Sequence, residues 1–396
     1  MKIKKIKLNN HPVLKDLEIN FSNIDRNTSD LIIIAGTNGS GKTNLLETLY
    51  NFLVNGQFNP KIAIEWDFNI LEEKIRNKYL NDSAFFAHLF NFQYYNNQPN
   101  TNNFFVKDLE PLPKIIYLPV QISFDEIPKA IPGYKYTYSL LNKLNTNIIM
   151  QISSYLSTKV TLALKKDGNL TYTNAVNAVV QEVNEIFDIL ELDVRMIGFS
   201  DDEKDLPLFS NSLNEVFDIN KLSSGEKQLF IRILSLKMIE ANNSVILIDE
   251  PEISLHPKWQ QKIVKIYEKI GLNNQIIIAT HSPSIIGSVT NDKIKIMKRT
   301  EQGIEFFNYP ELTYGQTIET ILEDVMDLES SIDPEIHSKI DYLKQLIQNR
   351  MFTTDDFKNK FTELKNLLGT HNENVLLLNI ELNRIRNKEV VNAQSK

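Results

Sequence analysis

The segment Gly36-Thr37-Asn38-Gly39-Ser40-Gly41-Lys42-Thr43 leaves this chain little choice of fold. It fits the pattern G-x-x-x-x-G-K-[ST], which works only where a strand runs through a tight loop into a helix. Both flanks are present. The apolar run Leu31-Ile32-Ile33-Ile34 precedes the loop, and the helix-like Asn44-Leu45-Leu46-Glu47-Thr48-Leu49 follows it. Gly36, Gly39 and Gly41 let successive N–H groups turn inward around an anion, and the helix N-terminus adds partial positive charge. Asn38, Ser40 and Asn44 lie in the same cradle. Lys42 is placed to reach the β- and γ-phosphates, and the Thr43 hydroxyl to bind Mg²⁺. The motif predicts an α/β fold and a bound nucleotide.

A second segment, Leu222-Ser223-Ser224-Gly225-Glu226, is followed by Lys227-Gln228-Leu229-Phe230-Ile231-Arg232-Ile233-Leu234, which has helical apolar spacing. Ser223 is the expected N-cap, and the amides after it would face an anion. Next comes the strand Val245-Ile246-Leu247-Ile248, closed by Asp249-Glu250-Pro251. Ser254-Leu255-His256-Pro257 follows, then the strand Ile276-Ile277-Ile278-Ala279 with Thr280-His281-Ser282 at its end.

In this order the segments resemble the Walker A loop, ABC signature, Walker B strand with catalytic glutamate, D-loop and switch histidine of the ABC/SMC ATPase superfamily. The resemblance implies a P-loop ATPase head: a mixed sheet with flanking helices, binding ATP and Mg²⁺. It also implies a sandwich in which the Walker loop of one subunit and the signature of another enclose one nucleotide. Ser223, Ser224 and Gly225 would then meet the γ-phosphate of the partner subunit's site. Asp249 would hold the hydrated Mg²⁺ opposite Thr43, Glu250 would act as general base, and His281 would contact the γ-phosphate and sense its loss. Gln121, just after the strand Ile115-Ile116-Tyr117-Leu118, occupies the place of a Q-loop glutamine that ligates the metal and orients water.

Bulk properties exclude several classes. The chain has 396 residues, 42% hydrophobic and 23% charged, ample for a large core and more than one domain-sized unit. No apolar stretch approaches the ~18 residues of a membrane helix. Met1-Lys2-Ile3-Lys4-Lys5 imitates a signal n-region, but Asn9-Asn10-His11-Pro12 stands where an apolar segment would follow, so a cytoplasmic location is expected. The absence of cysteine excludes disulfides and thiolate chemistry. A net charge of −7 argues against general nucleic-acid binding. Lys2, Lys4, Lys5, Lys7 and Lys15 crowd the N-terminus, but their alternation with Ile3, Ile6 and Leu8 reads as an edge strand with one solvated face.

Along the chain, residues 1–56 form the first part of the ATPase domain, with strands at Ile3–Leu8 and Leu14–Phe21. Residues 57–113 read as an insertion with an Asn-rich stretch from Tyr94 to Asn103. Within it, Asp67, Glu72 and Lys74 superficially resemble a D…ExK nuclease site, but the helical setting reads as a solvated charge run. Residues 114–132 hold the Q-loop strand. Residues 133–206 are a helical subdomain, with helices expected over Tyr138–Leu164 and Asn174–Leu190. Its heptads do not persist over about three or four repeats, so no long coiled-coil arm is expected. The second part of the ATPase domain is 207–310.

From 311 to 396 the pattern is helical: Thr317–Leu328, Pro334–Met351, Asp355–Leu368 and Asn374–Arg386, with an N-cap at Thr353-Thr354-Asp355-Asp356 and a C-cap at Gly369. Ile336, Ile340, Leu343 and Ile347 share one face that must be covered, by a docked partner or by the ATPase core. His11, His88, His337 and His371 lack metal-ligand spacing and are expected at the surface.

Leu255-His256-Pro257 departs from the D-loop of transporters and resembles that of OLD-like "AAA" ATPases of bacterial anti-phage defence, in particular the ATPase subunits of Septu and Septu-like retron systems. That branch implies a regulatory ATPase that dimerises around ATP and controls a separate HNH nuclease, with a reverse transcriptase and retron DNA as further partners in retron systems. After His281 there is no Asp-x-Asp pair of a TOPRIM nuclease, so no nuclease activity is expected of the chain itself. An SMC-like DNA-clamping ATPase is the alternative; the missing coiled coil and the acidic charge weigh against it. A transporter motor is disfavoured by the Leu255-His256-Pro257 loop.

Overall fold

A computed structural model describes residues 1–22, 28–55, 62–67, 113–122, 127–130, 134, 141–201, 205–301, 303–326 and 333–394. The chain forms two compact units, Met1–Ile321 and Leu322–Lys396.

The first unit begins with β1 (Lys2–His11) and β2 (Lys15–Asn20), then β3 (Leu31–Ala35), α1 (Lys42–Asn55) and β4 (Ile62–Asp67). It continues with β5 (Ile115–Leu118), β6 (Leu141–Lys143), α2 (Thr146–Ile149), α3 (Ile152–Lys166) and α4 (Tyr172–Leu190). A small antiparallel sheet follows, β7 (Arg195–Phe199), β8 (Pro207–Ser210) and β9 (Val216–Asp218). Then come α5 (Ser224–Met238), β10 (Val245–Asp249), α6 (Pro257–Glu268), β11 (Gln275–Thr280), α7 (Pro283–Ile286), β12 (Ile294–Thr300) and β13 (Gly303–Asn308).

The central sheet has the order β13-β12-β3-β11-β10-β5-β6. All its neighbours are parallel except β13, which closes one edge antiparallel to β12. Strands covered on both faces need no polar alternation, and β3 and β10 are buried at every position. The α/β class and the mixed sheet are as expected. Helix α1 sets Leu45, Leu46, Leu49 and Tyr50 in one cluster with Ile32 and Ile34 of β3 and with Ile6, Leu8, Leu17 and Ile19 of the N-terminal sheet. Burial of each such side chain contributes about 1.5–3 kcal/mol, so the helix that starts at the phosphate loop is clamped between two sheets.

Three local expectations are corrected. β1 is not an edge strand: it is the middle of the sheet β2-β1-β4, and β4 lies inside the region read as an insertion. One face of β1 is solvated as expected, but Lys4 and Lys5 there pair with Glu65 and Glu18, and the buried Lys2 pairs with Asp30. Leu141–Lys143 is a strand, not part of a helix starting at Tyr138, because it completes the edge beside β5. His11 is half-buried, its Nδ1 accepting from the N–H groups of Val13 and Leu14 at 3.2 and 3.0 Å in the turn between β1 and β2. Asp67 ends β4 and accepts from the Thr28 hydroxyl at 2.7 Å. Glu72, Lys74, His88 and the Asn-rich stretch lie outside the described residues.

Helix α8 (Ile318–Asp324) precedes the second unit's main helices, α9 (Pro334–Gln348), α10 (Asp355–Leu368) and α11 (Glu373–Gln394). Thr354 caps α10 through the Phe357 N–H, and Gly369 ends it at φ 88°. The apolar face of α9 is covered from within its own unit. Ile340, Leu343 and Ile347 pack with Phe357, Phe361 and Leu364 of α10 and Val375, Leu378 and Leu382 of α11. The unit has a core of its own. Among the described residues no helix is long and apolar enough to cross a membrane.

Candidate nucleotide site

Strand register assembles the site. Ala35 pairs with Thr280, and Ala279 pairs with Asp249, so β3, β11 and β10 end level with one another. The residues that follow, Gly36, His281 and Glu250, therefore emerge side by side at the carboxyl edge of a parallel sheet, where ligands of such sheets bind.

The loop is shaped for close approach. A Cβ at Gly36 would stand 2.2 Å from the Met297 carbonyl, and Gly41 has a left-handed φ of 105°. Lys42 opens α1 and is buried; its ammonium donates to the Gly36 and Thr37 carbonyls at 2.8 and 3.1 Å. Burial lowers its pKa from the ordinary lysine value. The Ser40 hydroxyl is buried without a hydrogen-bond partner.

Across the sheet, the Thr43 hydroxyl donates to Asp249 Oδ1 at 3.2 Å, while the buried Asp249 Oδ2 has no partner. A hydroxyl facing a half-satisfied carboxylate is a hard-oxygen donor set that fits Mg²⁺. Burial raises the Asp249 pKa to about 6. Glu250 sits in the left-handed region at φ 45°, with its N–H donated to the Ala279 carbonyl at 2.9 Å. A non-glycine residue there is strained by roughly 1–3 kcal/mol. Its carboxyl is pushed up to about 8, first by burial and then by the negative charge of Glu252. His281 Nδ1 lies against Glu250 Oε2.

Glu252 is the site residue that the sequence reading missed. Its Oε1 accepts from the Thr280 hydroxyl and from the His281 N–H, the latter at 3.0 Å, and lies 3.6 Å from His281 Nδ1. Its only sequence signal was a third acid directly after Asp249-Glu250-Pro251.

Lys42, Thr43, Asp249, Glu250 and His281 thus share one rim, whereas the other expected residues stand apart from it in their bonding. Ser223 caps α5 in a capping box with Glu226: Ser223 Oγ donates to Glu226 Oε2 at 2.6 Å, and the Ser223 N–H to the same oxygen at 3.0 Å. Ser223 and Ser224 are exposed and Gly225 is buried. A Cβ at Gly225 would fall 2.5 Å from the Ser254 carbonyl, so glycine here is dictated by the loop after β10. His256 caps α6 through the Lys258 N–H at 3.2 Å. Gln121 is exposed beyond β5, and the buried Arg232 of α5 donates to the Pro119 and Val120 carbonyls just before it, at 3.1 and 2.8 Å. Among the described residues no hydrogen bond joins Ser223, Ser224 or Gln121 to the rim.

Two family profiles match the chain. One, "AAA ATPase domain", covers residues 1–110, and the other, "AAA domain, putative AbiEii toxin, Type IV TA system", covers 156–287. The Septu protein PtuA of Bacillus thuringiensis is 25% identical over 84% of this chain and 86% of its own length. The chain is thus similar to AAA-type ATPases, among them those of Septu and retron systems. The Retron Ec83 probable ATPase of Escherichia coli is 25% identical over 45% of this chain, and the Retron Vc95 probable ATPase of Vibrio cholerae serotype O1 biovar El Tor is 32% identical over 31%. The matches span only 34% and 25% of those retron proteins. A solved SMC head bound to the C-winged helix domain of ScpA aligns over 78% of this chain and 98% of its own, with a TM-score of 0.45 and 13% identity. That likeness is too slight to argue from, and the fold class stands on the strand order.

Proposed function

We propose that this chain binds ATP with Mg²⁺, hydrolyses it, and serves as the regulatory subunit of an anti-phage defence complex. The observation that carries the reading is the meeting of Thr43 and Asp249 at 3.2 Å, with Glu250 and His281 in contact beside them. In this reading Lys42 leaves the loop carbonyls that now hold it and neutralises the β- and γ-phosphates. Thr43 and Asp249 hold the metal, which supplies charge neutralisation at the phosphates. Glu250 accepts the proton of the attacking water, and its raised proton affinity makes it a stronger base than an ordinary carboxylate. His281 stabilises charge on the γ-phosphate, and Gln121 helps to ligate the metal and orient water.

Ser223, Ser224 and Gly225 are exposed or bonded within their own helix, so their role is assigned to the nucleotide of a second copy in an ATP-sandwich dimer. The effector under control is assigned as an HNH nuclease, joined in retron settings by a reverse transcriptase and its DNA. The helical unit is assigned to assembly or partner docking, since the ATPase motifs end at His281 and α11 exposes Leu376, Leu377 and Ile380. The chain has no nuclease role in this reading, and a preparation with Mg²⁺ or Mn²⁺ should leave DNA and RNA intact. Phosphate release tests the core of the proposal. Lys42→Ala should abolish nucleotide binding, and Glu250→Gln should bind ATP without turnover. Wild-type turnover in Glu250→Gln would overturn it.

A further inference from the structure

Glu252 is 6% exposed. Its peptide carbonyl accepts from the Leu255 N–H at 2.9 Å, which closes the loop after β10. Its side chain turns the other way, to the end of the neighbouring strand β11, where Oε1 takes both the Thr280 hydroxyl and the His281 N–H. A second tie runs parallel: Gln260 of α6 donates to the Leu255 carbonyl at 2.9 Å and accepts from the Ser282 hydroxyl at 2.7 Å. The backbone on either side of His281 is thus fastened to the loop that carries the base. The Gln260 tie ends at Ser282, beyond the histidine, whereas the Glu252 tie ends on the histidine's own amide. The other carboxylate oxygen of Glu252 is buried, and Glu252 forms one cluster with Glu250 and His281.

We propose that Glu252 is a positioning residue, which holds His281 against Glu250 by tethering the end of β11 to the loop after the Walker B strand. The role rests on the hydrolytic reading above. Oxygen Oε1 supplies the tether as an acceptor, so an amide in its place keeps both hydrogen bonds. An alanine frees the Thr280 hydroxyl and the His281 amide together. Displacement of a catalytic group by about 1 Å costs on the order of 100-fold in rate. A residue acting only through His281 must lose its effect when His281 is gone, whereas an independent structural residue keeps it.

Steady-state ATP turnover by the full chain, with ATP affinity measured alongside, tests this. Glu252→Ala should lower kcat about 10- to 100-fold with KM within about threefold of wild type. Glu252→Gln should recover turnover to within about threefold. In a His281→Ala background, adding Glu252→Ala should change kcat less than about twofold. Should Glu252→Ala prove insoluble, Thr280→Val, which removes one donor of the same tether, should lower kcat while ATP binding holds. Equal loss in the Gln and Ala variants, undiminished loss in the His281→Ala background, or unchanged kcat in Glu252→Ala or Thr280→Val each overturns the assignment. Those outcomes are read against a wild type that turns over faster than Glu250→Gln. If it does not, the hydrolytic reading itself fails and the positioning role falls with it.

Discussion

The two halves of the expected ATP sandwich are built on opposite principles. At the rim of β3, β10 and β11, charged groups are drawn out of water and crowded together: Lys42, Asp249, Glu250 and Glu252 are buried, and Glu250 lies against His281. At the signature, Ser223 and Glu226 satisfy each other, and the two serines face solvent. Burying charged groups costs free energy that an exposed serine pair does not incur. The rim therefore carries a cost that the surface around Ser223 does not.

The largest effect that could break this contrast comes from the rim. Glu250→Gln should reduce ATP turnover about 100- to 1,000-fold while nucleotide affinity stays near wild type, as removal of a general base requires. The signature should answer differently. Ser223→Arg should leave ATP binding by each subunit intact and abolish nucleotide-dependent self-association, read by light scattering, because ATP that touches two copies is linked to their association. A mixture of Lys42→Ala and Ser223→Arg chains should regain turnover from one intact composite site; no recovery would show that sites are not shared.

A smaller effect sharpens the rim's electrostatics. Glu250 is a base only when deprotonated, and its carboxyl is raised to about 8. The pH profile of kcat/KM for ATP, which reports the protein before ATP binds, should therefore climb about tenfold per pH unit below about 8 and level off above it. A flat profile from pH 6 to 9 would contradict the buried, charge-crowded base.

The smallest effect on chemistry belongs to the helical unit. Leu343→Ala should destabilise its core by about 2–5 kcal/mol in urea unfolding, with ATP turnover altered less than about twofold.

The motifs were legible because each requires one backbone geometry: Gly36 to Thr43 fits only a strand–loop–helix, and Ser223 with Glu226 only a helix start. The order of the sheet was not, because register is a non-local property. Ile62-Ala63-Ile64-Glu65-Trp66 alternates as a strand should, but its partner β1 lies far back in the sequence, and the stretch read as part of an insertion. Leu141–Lys143 is too short to outvote the helical pattern around it. Glu252 was hidden for a different reason. Its function depends on the end of β11, brought alongside only by the parallel pairing of Val245–Asp249 with Gln275–Ala279. The tail's apolar stripe was read correctly and its cover was not, since periodicity says that a face is buried without saying against what.

The left-handed backbone at Glu250 bears on what selection can see. The wild-type side chain occupies a conformation that favours glycine or asparagine, with its charge beside those of Asp249 and Glu252. Replacement by Asn or Gly eases the backbone, and replacement by Gln removes the repulsion, so the inactive variants should melt no lower than the active chain and accumulate at least as well in cells. Loss of the base would thus leave no trace in expression level. A population could shed the proposed turnover without shedding the protein, and only a challenge that demands turnover would distinguish the two.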